Sequence, residues 1–317
     1  MIDMLIECTD EFLSQNSIQK GIMKLISLEH ADQLFNQFDH QSQVSGGSGA
    51  NTIVGLASLG ATTSYIGKVK DDAFGHKFRD DLIKVGVNYE TQLALKTTPA
   101  ETGRCMVFVT PDGERSMCTY LGVTESLDEH DIDTQMISQS EWVYLEGYRF
   151  DGLYSELAFA KALNTTKNNF CKSALTLSDP FCVKRNMPAF KKMITNDIDL
   201  LFCNEAELKL LYQTNDLADA VRKASSDVEL LACTVAEKGA IISDKGRILS
   251  VPAKKTAVLD TTGAGDLFAA GFLYGLLTNE NIEICGKMGN LAASEIISHL
   301  GARPKSDLKA LFYNKLS

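Results

Sequence analysis

The residues best able to do chemistry stand together in Asp260-Thr-Thr-Gly-Ala-Gly-Asp266. The stretch lies between the strand-like Thr256-Ala-Val-Leu259 and a long apolar run, Leu267 to Leu277, that reads as a helix. A glycine-rich turn at a helix start offers unpaired amides and the positive end of the helix dipole, and without a Cβ in the way an anion can approach the backbone. An acid in that position commonly serves only as a helix cap. Capping, however, does not need Gly263-Ala264-Gly265 beside it. Phosphoryl transfer needs both charge stabilisation and a carboxylate near the attacking hydroxyl, so the pattern favours Asp266 as a catalytic base beside an anion hole.

Other patterns fail on spacing. Gly60 to Lys68 ends in Gly-Lys but has too many residues between its glycines, and Val69 stands where a P-loop needs Ser or Thr. Gly47-Ser-Gly49-Ala-Asn-Thr52 opens like a dinucleotide fingerprint, yet Thr52 replaces the third glycine and the preceding Asp39-His-Gln-Ser-Gln43 reads as no strand. The five histidines show neither an HExxH spacing nor cysteine partners at zinc intervals, and no Gly-x-Ser-x-Gly elbow is present.

Elements must hold such a site. With 317 residues, 44% of them hydrophobic and 23% charged, the chain can bury a large core. From about residue 140, β-rich runs alternate with helical ones: Trp142–Leu145, Ala174–Leu177, Ile198–Cys203 and Glu229–Val235, with helical stretches between. This is the rhythm of a parallel sheet with helices on both faces. Earlier, Cys105–Val109 and Ser116–Leu121 flank the turn Pro111-Asp-Gly-Glu-Arg115, which predicts a hairpin. With material from Ile18 to Leu28 it would form a small sheet, either a lid or a plain edge extension. The net charge of -10 and the lack of basic clusters argue against a nucleic-acid partner. An acidic chain can still bind a nucleotide, because local amides and a divalent cation set the field there. The eight scattered cysteines read as reduced core residues. An acidic start and the lack of any long uncharged apolar run predict a cytoplasmic protein without a membrane span.

Asp260-Thr-Thr-Gly-Ala-Gly-Asp266 closely resembles the second signature of the ribokinase (PfkB) family of sugar and nucleoside kinases. The first signature has counterparts in order: Ser45-Gly-Gly-Ser-Gly-Ala-Asn51, Leu59-Gly60, Ile66-Gly67 and Asp71-Asp-Ala-Phe-Gly75. The resemblance implies an α/β fold, a mainly parallel sheet sandwiched by helices with a small β-sheet lid. Residues 1–30 would supply a partial first strand and lid strands, 31–95 core with a di-glycine hinge, 96–122 the lid hairpin, and 123–317 core with the nucleotide and anion-hole site. It further implies ATP and magnesium as cofactors, with Asp266 removing the hydroxyl proton and amides of Gly263, Ala264 and Gly265 stabilising charge on the γ-phosphate. Asn204 and Glu207, in Asn204-Glu-Ala-Glu207, would hold magnesium through waters; a helix cap explains the same pair. Asn204, Thr234, Gly239 and Thr261 fall on the nucleotide side, although Ala236 stands where the family usually has Gly. Asp260 and Thr262 fall where many members bind potassium.

On the substrate side, Gly46 and Gly47 resemble the hinge that lets the lid close. Asn51 would bond sugar hydroxyls or merely cap a helix, and Leu121 would pack on a base. Asp3 resembles an acid that grips two sugar hydroxyls, but the strand and Asn that precede it in the family are missing from the sequence. That points to a start recorded late, since losing an interior strand would leave unpaired backbone in the sheet. Thr119-Tyr-Leu-Gly122, Tyr144-Leu-Glu-Gly-Tyr148 and Leu177-Ser-Asp-Pro180 look most like the adenosine-kinase-like bacterial branch. The expected reaction is phosphorylation of a purine nucleoside, with ribose- or fructose-type sugars, or a non-catalytic binding protein of this fold, as alternatives. Arg115 would place a positive charge near sugar or phosphate, or simply be solvated. A homodimer through the lid is compatible with an exposed small sheet.

Overall fold

The computed structural model describes residues 1–38 and 42–316. In chain order the first part holds β1 (Ile2–Glu7), α1 (Asp10–Gln15), β2 (Met23–Leu25), α2 (Leu28–Phe35), β3 (Ser42–Ser45) and α3 (Ser48–Ser58). It continues with β4 (Thr63–Ser64), α4 (Ala73–Lys84), β5 (Val87–Asn88), β6 (Arg104–Val109) and β7 (Arg115–Tyr120). The predicted hairpin is β6–β7, with Val109 opposite Arg115. It belongs to a five-stranded sheet of order β2-β7-β6-β1-β3. This sheet is larger than a hairpin plus residues 18–28, because β1 runs parallel to β6 and pairs antiparallel with β3. Ile2, Met4 and Ile6 alternate into a core shared with Met106, Phe108 and Val54, so Asp3 stands on the other face of β1. Asp39–Gln41 lie outside the described residues. Because Ser42–Ser45 is a strand leading into the glycines, the case against a dinucleotide fingerprint there rests on Thr52 alone.

The second part holds α5 (Thr134–Ser138), β8 (Trp142–Glu146), α6 (Ser155–Asn168), β9 (Lys172–Thr176), α7 (Pro180–Asp197), β10 (Leu200–Asn204), α8 (Glu205–Leu211) and α9 (Leu217–Asp227). β11 (Leu230–Thr234), β12 (Ala240–Asp244), β13 (Arg247–Val251), α10 (Ala264–Leu277), α11 (Ile282–Ile296) and α12 (Leu308–Leu316) complete it. The six-stranded sheet has the order β13-β12-β11-β10-β9-β8; β8 to β11 are parallel, and β12 and β13 close it antiparallel. Both faces are covered, as the unbroken apolar strands require. Leu201 and Cys203 pack into a core with Phe159, Phe190 and Leu208, whereas Leu200 and Phe202 face Phe268 and Phe272. Thr256–Leu259 is not a strand. Pro252 ends β13 without a donor, and Leu259 instead donates to the Ile297 carbonyl at the end of α11.

Two packing features position the site. A Cβ on Gly55 would lie 2.8 Å from both Ala270 Cβ and Leu267 Cδ1, so this glycine lets α3 lie directly against α10. Among the described residues β8 pairs only with β9, and a cavity of about 670 Å3, lined by Thr63, Tyr65, Trp142, Tyr144 and Glu146 among others, separates it from β4. Among the described residues no strand fills that space. All eight cysteines are free and all but Cys8 are buried. Among the described residues no helix is long and apolar enough to cross a membrane.

Candidate active site

Gly46 and Gly47 lead into α3, whose N-cap, Gly47, has φ 93 and no capping side chain. The first turn of such a helix has amides to satisfy. Carboxylates from elsewhere in the chain stand near it: the Gly47 amide favours the ionised form of Asp3, and the Gly49 amide that of Glu146. A Cβ on Gly46 would lie 1.9 Å from Asp3 Oδ2, so only glycine admits that carboxylate. Ser48 Oγ donates to Asp266 Oδ1 at 2.7 Å, and Asn51 Nδ2 donates to Asp266 Oδ2 at 2.9 Å. Asp266 belongs to α10 but its side-chain partners belong to α3, which argues against its serving as a cap of its own helix. Asn51 Oδ1 is buried with no hydrogen-bond partner.

Arg303 compensates these acids. Its guanidinium donates to the carbonyls of Ser45 (2.8 and 3.0 Å) and Ala50 (2.8 Å), and its charge acts on both Asp3 and Asp266. Burial pushes Asp3 up to about 6, against the opposing charges of the Met1 amine and Arg303. It pushes Glu146 up to about 7, against Arg149. Asp266 is also raised by burial, while Asn51, Ser48, Arg303 and Arg115 favour its charged form.

At the start of α10, Gly263 adopts the left-handed φ of 76, and the exposed Gly265 has open space where a Cβ would stand. An anion can therefore reach this helix end next to Asp266. Asp260, buried just before the loop, accepts from the Thr262 amide (2.8 Å) and hydroxyl (2.5 Å) and from the Gly301 amide (2.8 Å). Burial would raise its pKa, but these bonds and Arg115 hold it below the ordinary value. Arg115, at the start of β7, lies 3.2 Å from Asp260 Oδ1 and donates to the hydroxyls of Thr262 (2.5 Å) and Thr261 (2.6 Å).

Asn204, Glu146 and Thr234 end β10, β8 and β11, at the carboxyl edge where open α/β sheets bind ligands. Asn204 and Glu207 form a reciprocal capping box at the start of α8, and burial pushes Glu207 up to about 7. The capping explanation thus describes their present contacts. Among the described residues no group of three His, Cys, Asp or Glu side chains forms a metal cluster. A magnesium ion there would take most of its shell from phosphate and water, which fits its usual coordination in nucleotide sites. Burial pushes the Tyr148 hydroxyl well up, and the charges of Asp179, Glu207 and Asp266 add to the effect. Gly239, with φ 100, turns the chain into β12. Ala236 has φ 49, a left-handed backbone that glycine adopts without strain, which accounts physically for a glycine preference there. Leu121 is half-buried after β7, its carbonyl against Gly103.

The structure therefore gathers Asp3, Gly46, Gly47, Asn51, Gly263, Ala264, Gly265 and Asp266 around the paired starts of α3 and α10, with Asp260, Thr261 and Thr262 adjoining. Ser48, Glu146 and Arg303 were not singled out from sequence. Ser48 and Glu146 sit within quoted stretches, whereas nothing local distinguishes Arg303.

The sequence pattern of the pfkB family carbohydrate kinases matches residues 18–309. The fold is similar to the crystal structure of adenosine kinase from Sinorhizobium meliloti, with TM-score 0.94 and 38% identity, covering 99% of this chain and 96% of that one. The chain is 30% identical over 254 residues to an uncharacterised sugar kinase from Archaeoglobus fulgidus, covering 79% of this chain and 97% of that protein. It is 26% identical over 339 residues to adenosine kinase from Saccharomyces cerevisiae, covering 99% and 97%.

Proposed function

We propose that this chain, which belongs to the pfkB family of carbohydrate kinases and is a kinase, transfers the γ-phosphoryl group of ATP to a primary hydroxyl of a purine nucleoside such as adenosine. The observation that carries this reading is Asp266, held by Ser48 and Asn51 beside the open, glycine-lined start of α10. In that position it can take the proton of an acceptor hydroxyl as the oxygen attacks phosphorus and the bond to ADP breaks. Amides at Gly263 and Gly265 would face the charge that develops on the transferring group, whereas the Ala264 amide, expected from sequence to share this role, donates to the Thr261 carbonyl at 3.3 Å. Asp3, beside Gly46, would orient the acceptor's other hydroxyls, and Asn51 Oδ1 has free capacity for one more. Asn204 and Glu207 would hold magnesium through waters, which supplies charge neutralisation between the phosphates. Thr234, Gly239 and Thr261 would border the nucleotide.

The nucleoside is favoured by the near full-length similarity to the Sinorhizobium adenosine kinase, and a sugar acceptor is supported by the Archaeoglobus sugar kinase. A panel of nucleosides and sugars with ATP and magnesium, scored by ADP release, decides between them. Turnover on adenosine is expected. Turnover on ribose or fructose alone would replace the nucleoside with a sugar.

A further inference from the structure

Asp260 is the most enclosed acid of the phosphate loop, with its side chain 2% exposed, and its surroundings are made of donors. Oδ1 accepts from the Thr262 amide and hydroxyl, Oδ2 accepts from the Gly301 amide, and Arg115 Nε lies 3.2 Å from Oδ1. The Thr262 hydroxyl oxygen in turn accepts from Arg115 Nη1. A monovalent metal needs oxygen lone pairs turned toward it. Here both carboxylate oxygens of Asp260, the side chain that would serve it, already accept hydrogen bonds. A potassium ion does not fit this arrangement, and a guanidinium does, because its planar fork of donors matches a carboxylate flanked by hydroxyls.

We propose that Arg115 is the resident cation of the phosphate loop, carried in by lid strand β7, so that the loop needs no monovalent metal. The side chain is 18% exposed and reaches across 147 positions of sequence to Thr262. Its three contacts fall on Asp260, Thr261 and Thr262 in succession, immediately before the Gly263 turn. Removing it would leave a buried carboxylate without its counter-charge, which is costly in a poorly solvated site. The same guanidinium favours the ionised form of Asp266. Arg115 therefore acts as a positioning residue. Because it comes from the lid sheet, the loop is fully assembled only when β7 lies over it.

The inference rests on the phosphotransfer reading of this loop, so its test includes a readout independent of turnover. Melting of the full chain is compared in potassium chloride and choline chloride at equal ionic strength, for the wild type and Arg115→Ala. The wild type should melt alike in both salts. Arg115→Ala should be stabilised by potassium selectively, and a crystal soaked in rubidium should show an anomalous peak beside Asp260. In kinetics, the wild type should be indifferent to potassium. The variant should lose about 10²-fold in kcat, the scale of one missing preorganised charge, and recover part of it with potassium or added guanidinium. If Arg115→Ala does not fold, Arg115→Met keeps the aliphatic stem and carries the same readouts. Potassium-selective stabilisation of the wild type, or a folded variant that gains no cation selectivity, overturns the proposal. An absence of turnover on every acceptor would instead remove the kinase reading, and the melting and rubidium results would still decide the cation.

Discussion

The side-chain amide of Asn51 holds one oxygen of Asp266 at 2.9 Å across 215 positions of sequence. That bond joins the loop proposed to grip the acceptor to the acid proposed to deprotonate it, since Asn51 lies in the first turn of α3 and Asp266 in that of α10. Gly55 permits the contact by letting the two helices touch. The proposed acceptor grip and the proposed base therefore share one corner of the fold.

Asp266→Asn tests the proton transfer with little disturbance. An amide can keep both bonds by turning its oxygen to Asn51 and its NH2 group to Ser48, so the fold and nucleotide binding should survive. The loss should appear in kcat, by about 10²-fold or more, as for other removed acid-base groups. Single-turnover rates together with ADP titration check both halves. Near-normal turnover would take Asp266 out of the mechanism.

Gly46→Ala tests the acceptor side. The new Cβ would stand 1.9 Å from Asp3 Oδ2, so the carboxylate must move. We expect KM for the acceptor to rise by about tenfold, a scale set by misplacing one polar contact, with ATP binding unchanged. An unchanged KM would show that Asp3 does not contact the acceptor.

Much of this arrangement was legible in the sequence, for identifiable reasons. Gly263, Gly265 and Asp266 stand out because a phosphate loop is local: a few consecutive residues make the turn, the helix end and the acid. The β-α alternation after residue 140 is legible because each strand is apolar on both faces, as in Leu200-Leu-Phe-Cys203. The small sheet was only partly legible. Its strands β1 and β3 join through long-range pairs such as Ile2 with Ser45, which no local pattern encodes. Arg303 went unnoticed for the same reason, because its role arises from carbonyls of Ser45 and Ala50, 258 and 253 positions away. Thr256–Leu259 shows the opposite error: β-prone residues form no strand when Pro252 has already closed the sheet edge.

Arg303→Met should shift the pH dependence of kcat/KM. Arg303 favours the ionised forms of Asp3 and Asp266, so its removal raises both pKa values and moves the acid limb to higher pH. Arg303→Lys keeps the charge but not the fork to the two carbonyls, so it should lower Tm while leaving the limb near its original place. Equal profiles for wild type and Arg303→Met would assign Arg303 a purely structural role.

Glu146→Gln separates burial from catalysis through stability. Burial raises the folded pKa of Glu146 from 4.5 to about 7. With the folded value above the unfolded one, the folded state retains a proton that the unfolded chain releases. The stability this gives is present in full below about pH 4.5 and is lost as pH rises through 7, on the order of 3 kcal/mol in all. A glutamine stays neutral, so it should escape that loss. The Tm of Glu146→Gln relative to wild type should therefore increase from pH 5 to pH 8. A difference that does not change over this range would mean that Glu146 is solvated in the folded protein, through the cavity beside β8 that it lines.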